Sequence, residues 1–295
     1  MVLLSKLLNI SKIELEEEKM IYTVTGPIEK EALGPILSHE HLAWDYIDSW
    51  ALYFDKVYDE EKIERIYNKI LPIFKRLYQL GCRTIAEASP PRGGQNLILM
   101  QRISEKSGIK IIPNTGLPFK RYVYDIHKNF DEEELAQRWI EDFNNGLDTI
   151  NNIVIRPGQI KLLLGDIGKG SLTKIDRKIL RAAVIASKAT GMPLHCHLFE
   201  AEKVKEAIDL LEEENFDCSK FLWAHTGEEG NFKVIERAFS KGMWLGFDQI
   251  RPENYSKFCS LIKEALKRGY KDRILLSQDY DFYDEILESE RSEEH

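Results

Sequence analysis

The amino-acid sequence predicts an α/β protein with the (β/α)8 architecture of a TIM barrel. The chain has 295 residues, close to the roughly 250 residues usual for one such barrel. From His39 onward, apolar runs typical of buried strands alternate with helical patterns, and chemically active side chains collect where the runs end. Strict alternation implies parallel strands joined by right-handed crossovers. No glycine-rich phosphate loop follows any run, which weakens the alternative of an open, doubly wound sheet.

Eight runs are apolar enough to form the strands of the barrel. Each has about the length expected of a strand buried on both faces. Eight parallel strands favour closure into a barrel over an open sheet. The runs cover residues 33–37, which lead into His39 and His41, and residues 84–88, 109–114, 159–164, 192–197, 221–225, 243–247 and 274–277.

Two of the intervening helices have clear ends in the sequence. The helix predicted over residues 175–189 begins with a capping box formed by Thr173 and Asp176, and Gly191 ends it. A second helix is predicted over residues 61–80, with one apolar face. That face carries Ile63, Ile66, Ile70, Ile73 and Leu77.

Composition excludes several classes of protein. Hydrophobic residues make up 43% of the chain, and the formal net charge is −8, which argues against nucleic acid or an anionic membrane as a partner. The apolar stretches near the N-terminus are too interrupted for a signal peptide and too short for a membrane span. The four cysteines show no CxxC spacing, so neither a zinc knuckle nor a disulfide framework is indicated. Reduced thiols in a cytoplasmic protein fit best.

Histidines concentrate at the ends of the predicted strands. The sequence has 7 histidines, and those outside the strand ends are His127 and the terminal His295. A single His-x-His pair is a weak signal, because two such histidines are often hydrogen-bonded core residues. Together with Asp279 after the last strand, the set indicates a metal site, since imidazole and carboxylate both bind divalent metals. The strand-end histidines are His39, His41, His195, His197 and His225.

Lys161 lies inside an apolar run and looks out of place beside cations. It fits such a site if burial lowers the pKa of its amine, because a neutral amine can capture carbon dioxide and become a carbamate that bridges two metals. The alternative is a plain interior lysine paired with an acid such as Asp166.

Nine short stretches, in order along the chain, carry a resemblance to a known family. From about residue 21 to about residue 280 the chain resembles the phosphotriesterase-like metal hydrolases of the amidohydrolase superfamily. The stretches are TVTGPI (23–28), LSHEHL (37–42), GQN (94–96), NTGL (114–117), RPGQIK (156–161), IDRK (175–178), WAH (223–225), FDQIRPE (247–253) and LSQD (276–279).

The resemblance implies a binuclear metal centre with two divalent ions, zinc first and manganese, cobalt or iron as alternatives. Its roles transfer residue by residue: His39, His41 and Asp279 hold the buried metal, His197 and His225 hold the exposed one, and carbamylated Lys161 bridges the two. A hydroxide shared by the metals attacks the substrate, and Asp279 takes its proton. His195 departs from the family pattern, so we expect it to support a neighbour or to be a core residue rather than to bind metal.

The implied substrate is a small-molecule lactone or other ester, with phosphotriester cleavage as a side activity. Arg251 is a candidate to bind an anionic group of the substrate, although a loop arginine is more often merely solvated. Phe119 and Tyr280 are candidates to line the pocket. A nuclease or deaminase of a neighbouring barrel family is a competing interpretation, which the negative charge disfavours.

The two ends of the chain depart from the family. We expect an amphipathic helical extension over residues 1–20, the hydrolase barrel over 21–280 and a short acidic tail over 281–295. The residues after Asp279 are too few for a last loop and an eighth helix, so that helix is predicted to be missing or shortened. Either the helix over residues 3–13 fills the vacant slot, or a homodimer partner or nothing covers it. A catalytically impaired metal- or ligand-binding barrel is therefore the alternative function.

Overall fold

The computed structural model describes residues 20–43, 60–89, 95–116, 130–165, 170–229 and 231–282. The predicted N-terminal helix, Phe119, Asp166 and the tail from residue 283 onward lie outside the described residues. The predictions for the eighth helix and for the slot's occupant therefore stay predictions. No helix of the described part is long and apolar enough to cross a membrane.

The strands follow the predicted order, with two hairpins added. Residues 20–29 form one antiparallel hairpin, and residues 148–155 form the other. Neither hairpin was predicted from the sequence. The strands are β1 (Met20–Thr23), β2 (Gly26–Glu29), β3 (Ile36–Glu40), β4 (Thr84–Glu87), β5 (Lys110–Ile112), β6 (Asn114–Gly116), β7 (Asp148–Ile150), β8 (Ile153–Ile155), β9 (Gln159–Leu163), β10 (Leu194–His197), β11 (Phe221–Ala224), β12 (Trp244–Phe247) and β13 (Ile274–Leu276).

The parallel strands close into the predicted barrel. Strands β3, β4 and β5 form one sheet, and β6, β9, β10, β11, β12 and β13 form the other in that spatial order. Because Pro113 lacks an N–H, the single strand predicted over residues 109–114 is split there into β5 and β6. At the other seam, the N–H of Asp279 donates to the carbonyl of His39 at 3.0 Å, and His41 bridges Asp281 in parallel.

Helices surround the described part of the barrel. The capping box predicted for the helix after β9 is present, with Thr173 and Asp176 bonded reciprocally, and Gly191 ends that helix in the left-handed conformation. The helices are α1 (Glu60–Gln79), α2 (Leu97–Ser107), α3 (Glu132–Asn145), α4 (Lys174–Thr190), α5 (Ala201–Glu213), α6 (Thr226–Glu229), α7 (Phe232–Ser240) and α8 (Tyr255–Lys267).

Helix α1 has the predicted position but a slightly different buried face. Ile63, Ile66 and Ile70 are buried as expected, whereas Ile73 is 38% exposed and Phe74 is fully buried. The prediction for Ile73 was wrong because the buried apolar face shifts by one residue at this point of the helix. Burial of the larger Phe74 side chain is favoured over burial of Ile73.

A groove of about 520 Å³ runs along the outer wall of the barrel beside β3 and the chain after β13. It is mainly apolar, and no described residue fills it. Leu276 on β13 is 47% exposed, although a strand of a closed barrel is normally covered on its outer face. The groove therefore lies where the eighth helix of a barrel would pack. Its lining includes Ile36, Leu37, Leu77, Leu80, Tyr280 and Phe282.

Candidate metal centre

The end of β3 and the chain after β13 bring three predicted ligands together. Nε2 of His39 and Nε2 of His41 lie 3.1 and 3.0 Å from Oδ1 of Asp279. Both histidines are buried, and His41 Nδ1 lies 3.2 Å from the Ser89 hydroxyl. One ligand atom from each of the three residues falls within 4.8 Å of the others, which is a spacing that a single ion could share.

Lys161 extends from β9 into the same cluster. Its Nζ lies 2.9 Å from Nε2 of His39 and 3.5 Å from Nε2 of His195, and the side chain is buried. Burial lowers the pKa of the Lys161 amine to about 8, although the nearby carboxylate of Asp279 acts in the opposite direction and raises it. The barrel is tight here: a Cβ on Gly116 of β6 would lie 1.9 Å from the Lys161 carbonyl oxygen, so only glycine fits.

His197 at the end of β10 and His225 after β11 form the other half of the cluster. Nδ1 of His197 lies 2.7 Å from Nε2 of His225, and the His225 ring centroid is 5.2 Å from that of His39. Burial, followed by the charge of His225, holds the pKa of His197 well below its ordinary value. Phe199 stacks on His225 with ring centroids 4.6 Å apart and is 36% exposed. This half of the site therefore has an aromatic wall.

Asp248, directly after β12, connects the two halves. Its Oδ2 lies 2.8 Å from Nδ1 of His39 and its Oδ1 lies 2.8 Å from Nδ1 of His225. Although burial by itself raises the pKa of Asp248, the charge of His225 and its hydrogen bond hold it well below the ordinary value. An ionised carboxylate that accepts from both Nδ1 atoms places both protons there, so each Nε2 carries a lone pair that a metal could bind.

This protonation pattern makes the donor set fit a divalent metal. With its proton on Nδ1, the Nε2 lone pair of His39 faces the carboxylate of Asp279 at 3.1 Å, so two acceptors oppose each other. Burial lowers the pKa of His39 to about 4, with the charge of Lys161 acting in the same direction, so the ring is neutral near pH 7. A cation between these atoms would relieve the repulsion. His39, His225 and Asp248 also lie close enough together to share an ion. Their proximity is explained by the two hydrogen bonds that Asp248 accepts from the histidines.

Asp279 is ionised and held from several sides. Although burial raises the pKa of its carboxyl, the neighbouring His39 and the hydrogen bond with His41 hold that pKa well below the ordinary value. Nε2 of Gln249 donates to Oδ2 of Asp279 at 3.0 Å. The backbone of Asp279 is in the left-handed region, with φ of 50°.

The remaining predicted residues lie around this cluster or outside the described chain. His195 is buried, with Nδ1 3.2 Å from Oε1 of Gln159, and it lies beside Lys161 rather than among the grouped ligand atoms. Arg251 donates to the carbonyl oxygens of Gln278 and Asp279. Tyr280 is 46% exposed and lies 5.6 Å from the Arg251 guanidinium. Roles of Arg251, Tyr280 and Phe119 toward substrate stay predictions.

No role was predicted for Asp248, Gln249 or Glu40, although each contacts a predicted ligand or the segment that carries one. Asp248 and Gln249 come directly after a strand, and Glu40 stands between His39 and His41. Burial raises the pKa of Glu40 to about 7, while hydrogen bonds from Ser277 and Gln278 favour its carboxylate. A search for every polar residue at a strand end, rather than for ligand types alone, would have found all three.

Fold and site together define a (β/α)8 barrel with a cluster of possible metal ligands at the carboxyl ends of its strands. The model of the Phosphotriesterase family matches residues 19–293. The chain belongs to the phosphotriesterase family, and it is a hydrolase of that family.

Two curated relatives illustrate the range of the family. An aryldialkylphosphatase from Saccharolobus solfataricus is 28% identical over 263 residues, which cover 86% of this chain and 79% of that protein. An N-acetyltaurine hydrolase from Xenopus tropicalis is 25% identical and the match covers 88% of this chain and 83% of that protein.

Solved structures share the fold. A mutant organophosphorus hydrolase from Deinococcus radiodurans matches with a TM-score of 0.76 and 23% identity, over 90% of this chain and 81% of that one. A structure from the engineering of organophosphate hydrolysis on a weak promiscuous lactonase template matches with a TM-score of 0.74, also at 23% identity, over 90% of this chain and 83% of that one.

Proposed function

We propose that this protein is a metal-dependent hydrolase with a binuclear centre that cleaves a lactone or another ester of a small molecule. The observation that carries the proposal is the contact of the buried Lys161 amine with His39, in a cluster that also contains His41 and Asp279. The fully buried His225 and the partly exposed His197 extend the same cluster. A solved relative described as a lactonase template supports the substrate class.

In this proposal His39, His41 and Asp279 would hold one divalent ion and His197 and His225 would hold the other. Lys161, as its carbamate, would be a ligand shared by both. Zinc is the first choice and manganese, cobalt and iron are alternatives, because imidazole and carboxylate ligands suit all four. Two such ions, when bound, supply Lewis acidity and lower the pKa of water.

The residues of the chain then supply orientation and a proton acceptor. Asp248 keeps the Nδ1 protons of His39 and His225 in place, which aims both Nε2 atoms at the ligand position. Asp279, whose carboxylate lies beside His39 and His41, would accept the proton released from the attacking water, and Gln249 fixes its orientation. Phe199 gives the mouth an apolar surface suited to a substrate with an uncharged body. The free cysteines suit the reducing cytoplasm, which we propose as the location.

A second candidate is hydrolysis of an N-acyl amide. Three relatives of this chain are N-acetyltaurine hydrolases. The same ligand cluster and the same proton acceptor would serve an amide, and the proton taken up by Asp279 would be passed to the amine leaving group.

Metal content and turnover, measured together, test these proposals. Purified protein is analysed for metals and then incubated with a panel of lactones, a phosphotriester and N-acetyltaurine. About two metals per chain with lactone hydrolysis supports the first proposal, and selective cleavage of N-acetyltaurine supports the second. Bound metal without turnover of any substrate would instead favour the impaired metal-binding barrel, and protein that binds no divalent metal would contradict the binuclear centre.

A further inference from the structure

Glu40 lies between two metal-ligand candidates, but its carboxylate serves a different segment. In a strand, neighbouring side chains point to opposite sides, so Glu40 points away from the side shared by His39 and His41. Its Oε1 accepts a hydrogen bond from the Ser277 hydroxyl at 2.6 Å and from the Gln278 N–H at 2.8 Å. Its Oε2 accepts from the Tyr280 N–H at 3.1 Å. The carboxylate therefore binds the backbone on both sides of Asp279.

Arg251 binds the same segment through the carbonyl groups. Its Nη1 donates to the Gln278 carbonyl, and its Nη2 donates to the Asp279 carbonyl at 2.9 Å. The backbone N–H of Arg251 in turn donates to Oδ1 of Asn254 at 2.8 Å, which fixes the start of its own turn. One planar guanidinium thus holds two successive carbonyl groups, a geometry that a lysine ammonium would not reproduce.

Every backbone polar group of residues 278–280 has a partner. Glu40 accepts from the first and third N–H groups, and Arg251 donates to the first and second carbonyl groups. Strand β3 completes the set: the His39 carbonyl accepts from the Asp279 N–H, and the His41 N–H donates to the Tyr280 carbonyl, both at 3.0 Å. Such complete pairing is expected where a backbone must hold one conformation.

The conformation held is an uncommon one. Asp279 has φ of 50°, in the left-handed region that residues other than glycine adopt at a cost. Backbone strain of this kind persists only where the surroundings enforce it. Because the side chain of Asp279 meets His39 and His41 from this position, a relaxed backbone would move its carboxylate away from the ligand position.

We infer that Glu40 and Arg251 are paired positioning residues, which hold Asp279 in its strained conformation and so set the affinity of the site for a divalent metal. The inference rests on the proposed function. In this role Arg251 binds the backbone of the protein rather than an anionic group of the substrate. Glu40 supports a metal ligand without being one.

Metal affinity of substituted proteins tests the inference without any substrate. The variants are Glu40→Gln, which replaces one acceptor oxygen by a donor, and Arg251→Met, which removes both donors at similar length. Asp176→Asn is the matched control. Asp176 is also almost fully buried and also accepts three hydrogen bonds, from the Gly165 N–H and from the Thr173 N–H and hydroxyl, but it serves helix α4 and its preceding loop.

Zinc affinity is measured by competition with a chromophoric chelator, and thermal unfolding is recorded for metal-free and zinc-loaded protein. We expect Glu40→Gln and Arg251→Met to weaken zinc binding about 10- to 100-fold, the usual effect of removing a group that orients a ligand. Arg251→Lys should recover part of that affinity. Asp176→Asn should lower the unfolding temperature of the metal-free protein and leave zinc affinity unchanged.

Unchanged zinc affinity in both Glu40→Gln and Arg251→Met, with wild-type protein that binds zinc, would overturn the inference and leave the proposed function intact. Weakening of equal size in Asp176→Asn would also overturn it, because loss of any buried carboxylate would then be sufficient. Wild-type protein without zinc affinity would overturn the proposed function and the inference together.

Discussion

Oδ2 of Asp248 lies 2.8 Å from Nδ1 of His39, and both side chains are buried. The same carboxylate binds His225 through its other oxygen, so one aspartate determines the tautomer of two ligand candidates on different strands. A neutral imidazole has a single N–H. The position of that proton therefore decides whether Nε2 can bind a metal.

Replacing Asp248 with Asn is predicted to weaken metal binding and turnover by about 10- to 100-fold. The amide has one acceptor oxygen, so it can accept from only one of the two Nδ1 atoms and must present its N–H to the other. The histidine that receives that N–H becomes protonated on Nε2 and is lost as a ligand. Elemental analysis and kcat with the best substrate check this. Full metal occupancy with unchanged kcat would show that the tautomers are set by other groups.

Metal loading is predicted to depend on pH through the amine of Lys161. Burial lowers the pKa of this group to about 8, so the neutral form that can become a carbamate dominates above that value and is lost as the pH falls below it. Metal-free protein at constant dissolved carbon dioxide should therefore load zinc about tenfold faster for each pH unit up to about pH 8, and then level off. The loading rate is followed by recovery of activity. A rate that continues to rise at the same slope to about pH 10 would indicate an unperturbed lysine.

Two neighbouring positions on α1 should differ strongly in their effect on stability. Phe74 is fully buried and Ile73 is 38% exposed, so Phe74→Ala should lower the free energy of unfolding by about 3–5 kcal/mol. Ile73→Ala should lower it by less than about 1 kcal/mol. Denaturant unfolding measures both. Equal losses would mean that the helix buries the face expected from the isoleucine spacing.

Phe74 and Ile73 show what could and could not be predicted from the sequence. Apolar runs predicted the barrel strands because burial on both faces leaves a continuous local signal. The spacing of isoleucines placed α1 but not the burial of Phe74, whose ring packs 4.9 Å from that of Phe282, more than 200 residues away along the chain. Pro113 divides one predicted strand into two. Both hairpins were missed because they do not follow the strand-helix alternation on which the prediction was based.

The candidate site shows the same division between local and distant information. His39, His41, His197, His225, Asp279 and Lys161 could be selected from their positions at or near strand ends, and the structure brings them together. The role of Asp248 depends on side chains 23 and 209 residues away. That of Glu40 depends on hydrogen bonds to residues that follow the last strand. No local pattern encodes such contacts, since they exist only once the barrel has closed.

The N-terminal segment is predicted to fill the groove beside β3. Met20 pairs with Glu29 in the first hairpin, and Pro35 at the groove follows a few residues later, so the segment starts within reach. Leu4→Asp with Leu8→Asp would place charge on its apolar face and should lower the unfolding temperature by several degrees. Ser5→Asp with Asn9→Asp adds the same charge to the opposite face and is the control. Equal unfolding temperatures in both variants would point to another occupant, and sedimentation then tests for a dimer.

The metal content of Lys161→Ala, compared with wild-type protein, tests the central claim most directly. Lys203→Met is the control, because Lys203 is equally buried but donates to the Gly165 carbonyl and to Glu200, outside the ligand cluster. Elemental analysis should find about two metals per chain in wild-type protein and in Lys203→Met, and at most one in Lys161→Ala. Two metals and full activity in Lys161→Ala would contradict the bridging role of Lys161, and wild-type protein without two metals per chain would contradict the binuclear centre proposed for this protein.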